Sequence, residues 1–174
     1  MKNILRQILL VLIFFLLTGF PASALEAGAS AVPQNIIRDN RTEKLRAFLE
    51  SYNSPLSGYA GVFIKTADKY GLDWKLVPSI AGVESTFGKA IPYNSYNAYG
   101  WAGGEYYFNS WEDSIEIVSR ALRANYYNRG LDSVAKISPV YCPPNKSWGA
   151  KVQYFMDKLE NFSPKSTLAL ELSL

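Results

Sequence analysis

The chain contains no histidine. That absence excludes Ser-His-Asp and Cys-His catalysis, and any zinc site built on imidazole. There is a single cysteine, Cys142, so neither an intramolecular disulfide nor a CxxC redox pair can form. With no imidazole to activate it, Cys142 reads as a small packed hydrophobe or a plain thiol. Charge is also sparse: 18 basic residues stand against 15 acidic ones, a net +3. No basic stripe runs through the sequence, so a nucleic-acid partner has no support. There is no internal repeat and no low-complexity segment. Chemistry is left to carboxylates, tyrosines and backbone groups.

The N-terminus carries an export pattern. Lys2 and Arg6 precede an unbroken apolar run over residues 8–17, and Ala22-Ser23-Ala24 forms an A-x-A cleavage site. The run is shorter than the ~20 residues that span a bilayer. Residues 1–24 are therefore expected to be a signal peptide, and the product secreted, in periplasm or cell wall. No cysteine stands at or near the cleavage point to take a lipid, so no membrane attachment is expected afterwards. Cleavage removes two basic residues and no acidic one, which leaves a charge of +1. The remaining chain of about 150 residues is the size of one domain.

Residues 25–38 are rich in Ala, Ser and Gly without a period and read as a linker. Helical spacing then dominates. Residues 40–52 place Leu45, Phe48, Leu49 and Tyr52 on one face, with Pro55 as the stop. Residues 57–70 do the same with Tyr59, Ala60, Phe63, Ile64, Ala67 and Tyr70, and Gly71 ends them. Asp73 is a cap for a helix over 74–86, which Pro78 is expected to bend. Residues 88–109 lose the helical period and crowd Pro, Asn, Gly and aromatic residues together. They read as a long loop or a small sheet. Ser110-x-x-Asp113 resembles a capping box and starts a helix with Trp111, Ile115, Val118, Leu122 and Tyr126 in register. A short helix over 132–137 is expected to break at Ser138-Pro139, before an extended turn from Tyr141 to Asn145. Ser147 caps a last helix with Trp148, Val152, Phe155 and Leu159 facing inward. The domain spans 39–162, and 163–174 is a loose tail.

One carboxylate stands out. Glu84 lies four residues after Ile80 and three before Phe87, which puts all three on one helical face. A carboxyl among apolar neighbours is costly to ionise, and one that stays protonated serves as a general acid. The plainer alternative is a part-exposed Glu held by a cap or an ion pair. After Glu84 come Tyr93, Tyr96, Tyr99, Trp101, Tyr106, Tyr107, Phe108 and Trp111. Flat rings with Asn side chains suit the apolar faces and polar rims of sugars. Packing of the lobe itself is expected to consume about half of these rings.

Four segments fall in order: Glu84-Ser85-Thr86-Phe87-Gly88-Lys89, Asn97-Ala98-Tyr99-Gly100, Phe108-Asn109-Ser110-Trp111-Glu112-Asp113-Ser114-Ile115 and Tyr141-Cys142-Pro143-Pro144. Together they resemble the glucosaminidase family of peptidoglycan hydrolases (the mannosyl-glycoprotein endo-beta-N-acetylglucosaminidase-like domain) over roughly residues 57–162. The Glu-Ser pair also resembles lytic transglycosylases, but their G-L-M-Q segment is absent.

The resemblance implies a mainly α, lysozyme-like α+β single domain with a small irregular or β aromatic lobe. It implies Glu84 as the catalytic acid, Tyr141 lining the cleft beside it, and Asn97 and Tyr99 in the turn that shapes the site. Asn97, Tyr99, Trp101 and Tyr96 are the expected substrate-binding residues. In this family the second carboxyl comes from a mobile lobe. Glu105 is the only acidic residue between Gly88 and Ser110 and takes that place as the second catalytic candidate. The alternative nucleophile is the substrate's own N-acetyl group. Glu112 and Asp113, in a helix first turn, read as dipole-complementing residues.

The expectation is an exported glycosidase acting as a monomer on peptidoglycan glycan strands, without cofactor or metal. A lytic transglycosylase and a non-catalytic glycan-binding module of the same fold remain open. The export reading has a direct check: the exported protein begins at Leu25. N-terminal sequencing that still finds Met1 overturns it.

Overall fold

A computed structural model describes residues 39–142 and 147–164. The expected signal peptide, the linker to residue 38, the Pro143-Pro144 turn and most of the tail lie outside the described residues. The described residues fall in one compact unit. They form six α-helices: α1 (Arg41–Ser51), α2 (Ala60–Tyr70), α3 (Leu76–Ser85), α4 (Trp111–Asn125), α5 (Val134–Tyr141) and α6 (Trp148–Glu160). Short 3₁₀ turns cover Ser57–Tyr59, Trp101–Gly104 and Tyr127–Arg129. The protein is mainly α, and no described helix is long and apolar enough to cross a membrane.

The helical periods translate directly into burial. Leu45, Phe48 and Leu49 of α1, Phe63, Ile64 and Ala67 of α2, and Trp111, Ile115, Val118 and Leu122 of α4 all enter one core. α2 packs on α4, and α3 packs most extensively on α6. Ser110 caps α4, its Oγ accepting from the Asp113 N–H at 3.2 Å. The return arm of the box shifts by one residue. Asp113 is shorter than Glu, and its Oδ2 accepts from the N–H and side-chain amide of Asn109 (3.1 and 3.0 Å).

Two proline expectations fail, each for a local reason. α3 begins at Leu76 rather than Trp74, because Asp73 first closes a turn: its Oδ1 accepts from Lys75 N–H (3.0 Å) and its carbonyl from Leu76 N–H (2.9 Å). Pro78 is then the third residue of the helix. There an N–H has no intrahelical partner, so the proline breaks no bond and demands no bend. In α5 the helix runs through Pro139 to Tyr141. Both Pro139 and Ala135, whose carbonyl loses a donor, are exposed, so water can take that bond. The same continuation makes Tyr141 a helical residue and not part of an extended turn.

The segment after α3 contains no strand among the described residues, so the lobe is irregular and its β alternative is not seen. Asn94, Tyr96, Gly100, Ala102, Gly103 and Gly104 all have positive φ, which no regular ladder tolerates. The lobe is joined to α3 by a tight reversal. Thr86 (φ 53°) and Phe87 (φ 58°) are left-handed, and Phe87 N–H bonds back to Ala81 O at 3.0 Å. This turns the Phe87 ring under the helix. Its ring centroid lies 4.5 Å from that of Tyr52, 5.0 Å from Phe155 and 5.7 Å from Phe48. Gly82 makes room for it: a Cβ there would sit 2.6 Å from Phe87 Cζ. Phe87→Ala should therefore cost about 3–5 kcal/mol. Equilibrium urea denaturation checks this, and a loss below about 1 kcal/mol would show that the ring is not the anchor of the turn.

Candidate active site

Glu84 is the penultimate residue of α3, where the helix meets the lobe. The chain leaves the helix at Ser85, so Phe87 does not occupy a helical i+3 position. Its ring goes into the core while the Glu84 side chain goes outward. Ile80 is fully buried and Glu84 is exposed. The apolar enclosure expected from the helical face is therefore not the setting of this carboxylate.

Its setting is aromatic and hydrogen-bonded. Trp148, the first residue of α6, donates its indole Nε1–H to Glu84 Oε1 at 2.7 Å. Trp148 is buried, and its ring stacks on Tyr141 from the end of α5, with centroids 4.4 Å apart and planes at 19°. The Tyr141 hydroxyl points to the Tyr99 carbonyl at 3.5 Å, a weak contact. Gly100 lies on the other side: a Cβ there would lie 3.4 Å from Glu84 Oε2. Three helix ends and one loop thus converge on a single carboxylate. A groove of about 440 Å³ lined by Val83, Lys151, Tyr154 and Phe155 runs along the same α3–α6 seam.

Trp148 is the residue that helical spacing alone assigned to packing. A signal for it does exist in the sequence. A tryptophan at an inward position carries an N–H that needs an acceptor once buried, and Glu84 is a carboxylate without an assigned partner. Only the fold brings the two together, across 64 residues.

The remaining expected site residues divide by depth. Asn97 is buried and its amide is fully engaged. Its Nδ2 donates to the carbonyls of Trp101 (2.9 Å) and Tyr106 (3.0 Å), and its Oδ1 accepts from Trp101 N–H (2.9 Å). Tyr99 is buried as well, its hydroxyl beside Ser114 without a well-formed hydrogen bond. Asn97 and Tyr99 thus shape the lobe from inside, and their side chains are not on the surface that a ligand would meet. Tyr96 and Trp101 are half-buried, with their rings edge-on to Trp111 and Phe108. Of the other expected platforms, Phe108 and Trp111 are buried, while Tyr93, Tyr106 and Tyr107 are exposed. Glu105 lies exposed at the end of the Trp101–Gly104 turn. It makes no hydrogen bond or ion pair to Glu84 among the described residues.

No protein-family model matches this chain, and no curated protein matches it either.

Burial disfavours ionisation of both inner tyrosines and pushes their pKa above the ordinary tyrosine range. For Tyr99 burial acts almost alone, offset in part by Ser114. For Tyr141 burial comes first and the negative charge of Glu84 second. The folded protein therefore holds these protons more tightly than the unfolded chain does. The linked stability is intact below the ordinary tyrosine pKa of about 10 and is lost as pH rises toward the folded values. Urea denaturation from about pH 8 to pH 11 should give a falling alkaline limb. Tyr141→Phe should flatten it, by up to about 1.4 kcal/mol per pH unit. An unchanged slope would place the titration elsewhere.

Proposed function

We propose that this chain is an exported glycoside hydrolase of the lysozyme-like fold that cuts peptidoglycan glycan strands, with Glu84 as general acid. The observation that carries the reading is the setting of Glu84. It is an exposed carboxylate at a helix end, oriented by a buried indole N–H and flanked by Tyr141 and the aromatic lobe. The exposed rings of Tyr93, Tyr106 and Tyr107, with the half-buried Trp101, add flat surface of the kind sugar faces stack on. The ordered motifs that resemble the glucosaminidase family point the same way.

In this reading the glycosidic C1–O bond breaks with its electron pair going to the leaving oxygen, which takes the proton of Glu84. Positive charge develops at C1. The N-acetyl oxygen of the same sugar stabilises it, and water then adds at C1 and returns a proton to Glu84. Glycan laid over Glu84 supplies the exclusion of water that its protein neighbours do not. Glu105 has the role of a helper: it follows Gly103 and Gly104, around which there is open space.

Glu84→Gln should lower cleavage of purified cell-wall glycan by ~10²–10⁴-fold with the fold unchanged. Glu105→Gln should cost less than about tenfold, and de-N-acetylated glycan should resist. Mass spectrometry of the products reads all three and separates reducing ends from anhydro ends. Near-native cleavage by folded Glu84→Gln sinks the assignment. A Glu105→Gln loss as deep as that of Glu84→Gln makes Glu105 the base and removes the acetyl group from the mechanism.

A further inference from the structure

The hydrogen bond between Trp148 and Glu84 distinguishes the two carboxyl oxygens. An indole N–H is a donor only. Here it belongs to a ring that is 2% exposed and clamped by stacking on Tyr141, so its direction is set by packing and not by the carboxylate. It meets Oε1 at 2.7 Å. A donor in that place stabilises negative charge on the oxygen it touches and disfavours a proton there. The proton of the acid form then belongs on Oε2.

Oε2 is the oxygen that faces Gly100. The backbone there is left-handed, at φ 64°. A Cβ would stand 3.4 Å from Oε2 and 3.9 Å from the carboxyl carbon. Glycine thus serves two needs at one position. It adopts the conformation at little cost, and it leaves the approach to Oε2 uncrowded.

We infer that Trp148 is the positioning residue of the acid, and that with Gly100 it selects Oε2 as the oxygen that delivers the proton. This rests on the reading of Glu84 as general acid. When the C1–O bond breaks, the proton leaves Oε2 for the leaving oxygen. The charge left on the carboxylate is met at Oε1 by a donor already in place, so no group has to reorganise.

The test uses Trp148→Phe in the mature protein, which keeps a ring for Tyr141 and removes the N–H. The kcat plateau should fall about tenfold with KM changed by less than about twofold, since the loss is in orientation and not in glycan contact. Lost packing alone would lower the folded fraction and leave the kcat of the folded protein unchanged.

A second measurement needs no activity and no folded variant at Trp148. In the wild-type NMR spectrum, with tryptophans selectively labelled, one indole N–H resonance should lie downfield of the others, and it should move upfield in Glu84→Gln, where a neutral acceptor replaces the charged one. Folded Trp148→Phe with a wild-type plateau overturns the inference while leaving Glu84 as the acid. Indole resonances that are all blind to Glu84 overturn it as well. If the wild-type protein leaves glycan intact, the reading of Glu84 as an acid falls and takes this inference with it. A moving indole resonance would then still establish the hydrogen bond, which separates that failure from this one.

Discussion

The hydroxyl of Ser85 joins the two parts of the molecule that meet at Glu84. Its oxygen lies 3.0 Å from Ala81 O, 2.9 Å from Ala98 O and 2.8 Å from Gly88 N. With one proton and two lone pairs, it serves one carbonyl at a time and accepts from the Gly88 N–H. The helix end, the reversal and the lobe are thereby tied at one atom. The reversal itself is costly, since two non-glycine residues in the left-handed region lose roughly 1–2 kcal/mol each. Burial of the Phe87 ring returns about 1.5–3 kcal/mol, which is close to the same sum. The balance is therefore tipped by the Ser85 bonds, the Ser54 hydroxyl on Phe87 O (2.8 Å) and the surrounding rings.

The lobe poses a second problem, because a segment without strands must still place its backbone groups. Asn97 handles three of them with one amide, linking Trp101 and Tyr106 across a turn made of left-handed residues. One further bond, from Phe108 N–H to Ser95 O at 2.9 Å, closes the base. This explains why a polar residue sits at the centre of an aromatic lobe. It also explains why the buried amide of Asn97 points inward, to the backbone of the lobe. The rings that stay outside, Tyr93, Tyr106 and Tyr107, are those that this small scaffold cannot cover.

Glu84 shows how a local rule and its tertiary outcome part. Helical spacing put the carboxylate on an apolar face, and it would hold had the helix continued for another turn. It ends one residue later, and the reversal exchanges an apolar surrounding for an aromatic, hydrogen-bonding one. The donor comes from α6, whose approach depends on the close packing of α3 against it at Gly82.

Much of the helical architecture was legible in the sequence, because 3.6-residue periodicity and end signals are local. Leu45, Phe48 and Leu49, the Gly71 stop, the Ser110 cap and the α4 stripe all follow from neighbours within a few positions. The prolines were misread because their effect depends on register within the helix. Two residues' difference in where α3 starts turns Pro78 from an expected bend into a harmless first-turn residue. In α5, Pro139 is accommodated at an exposed stretch, where both it and Ala135, whose carbonyl it leaves without an intrahelical donor, are exposed. The site was half legible. A lone Glu beside an aromatic segment is visible in one dimension, but its partner is not. Trp148 and Glu84 lie far apart in the chain, and a buried ring and a hydrogen-bonding ring look the same in a helical pattern. Which way an indole N–H points is settled by what stacks on its face, and only the packed chain decides that.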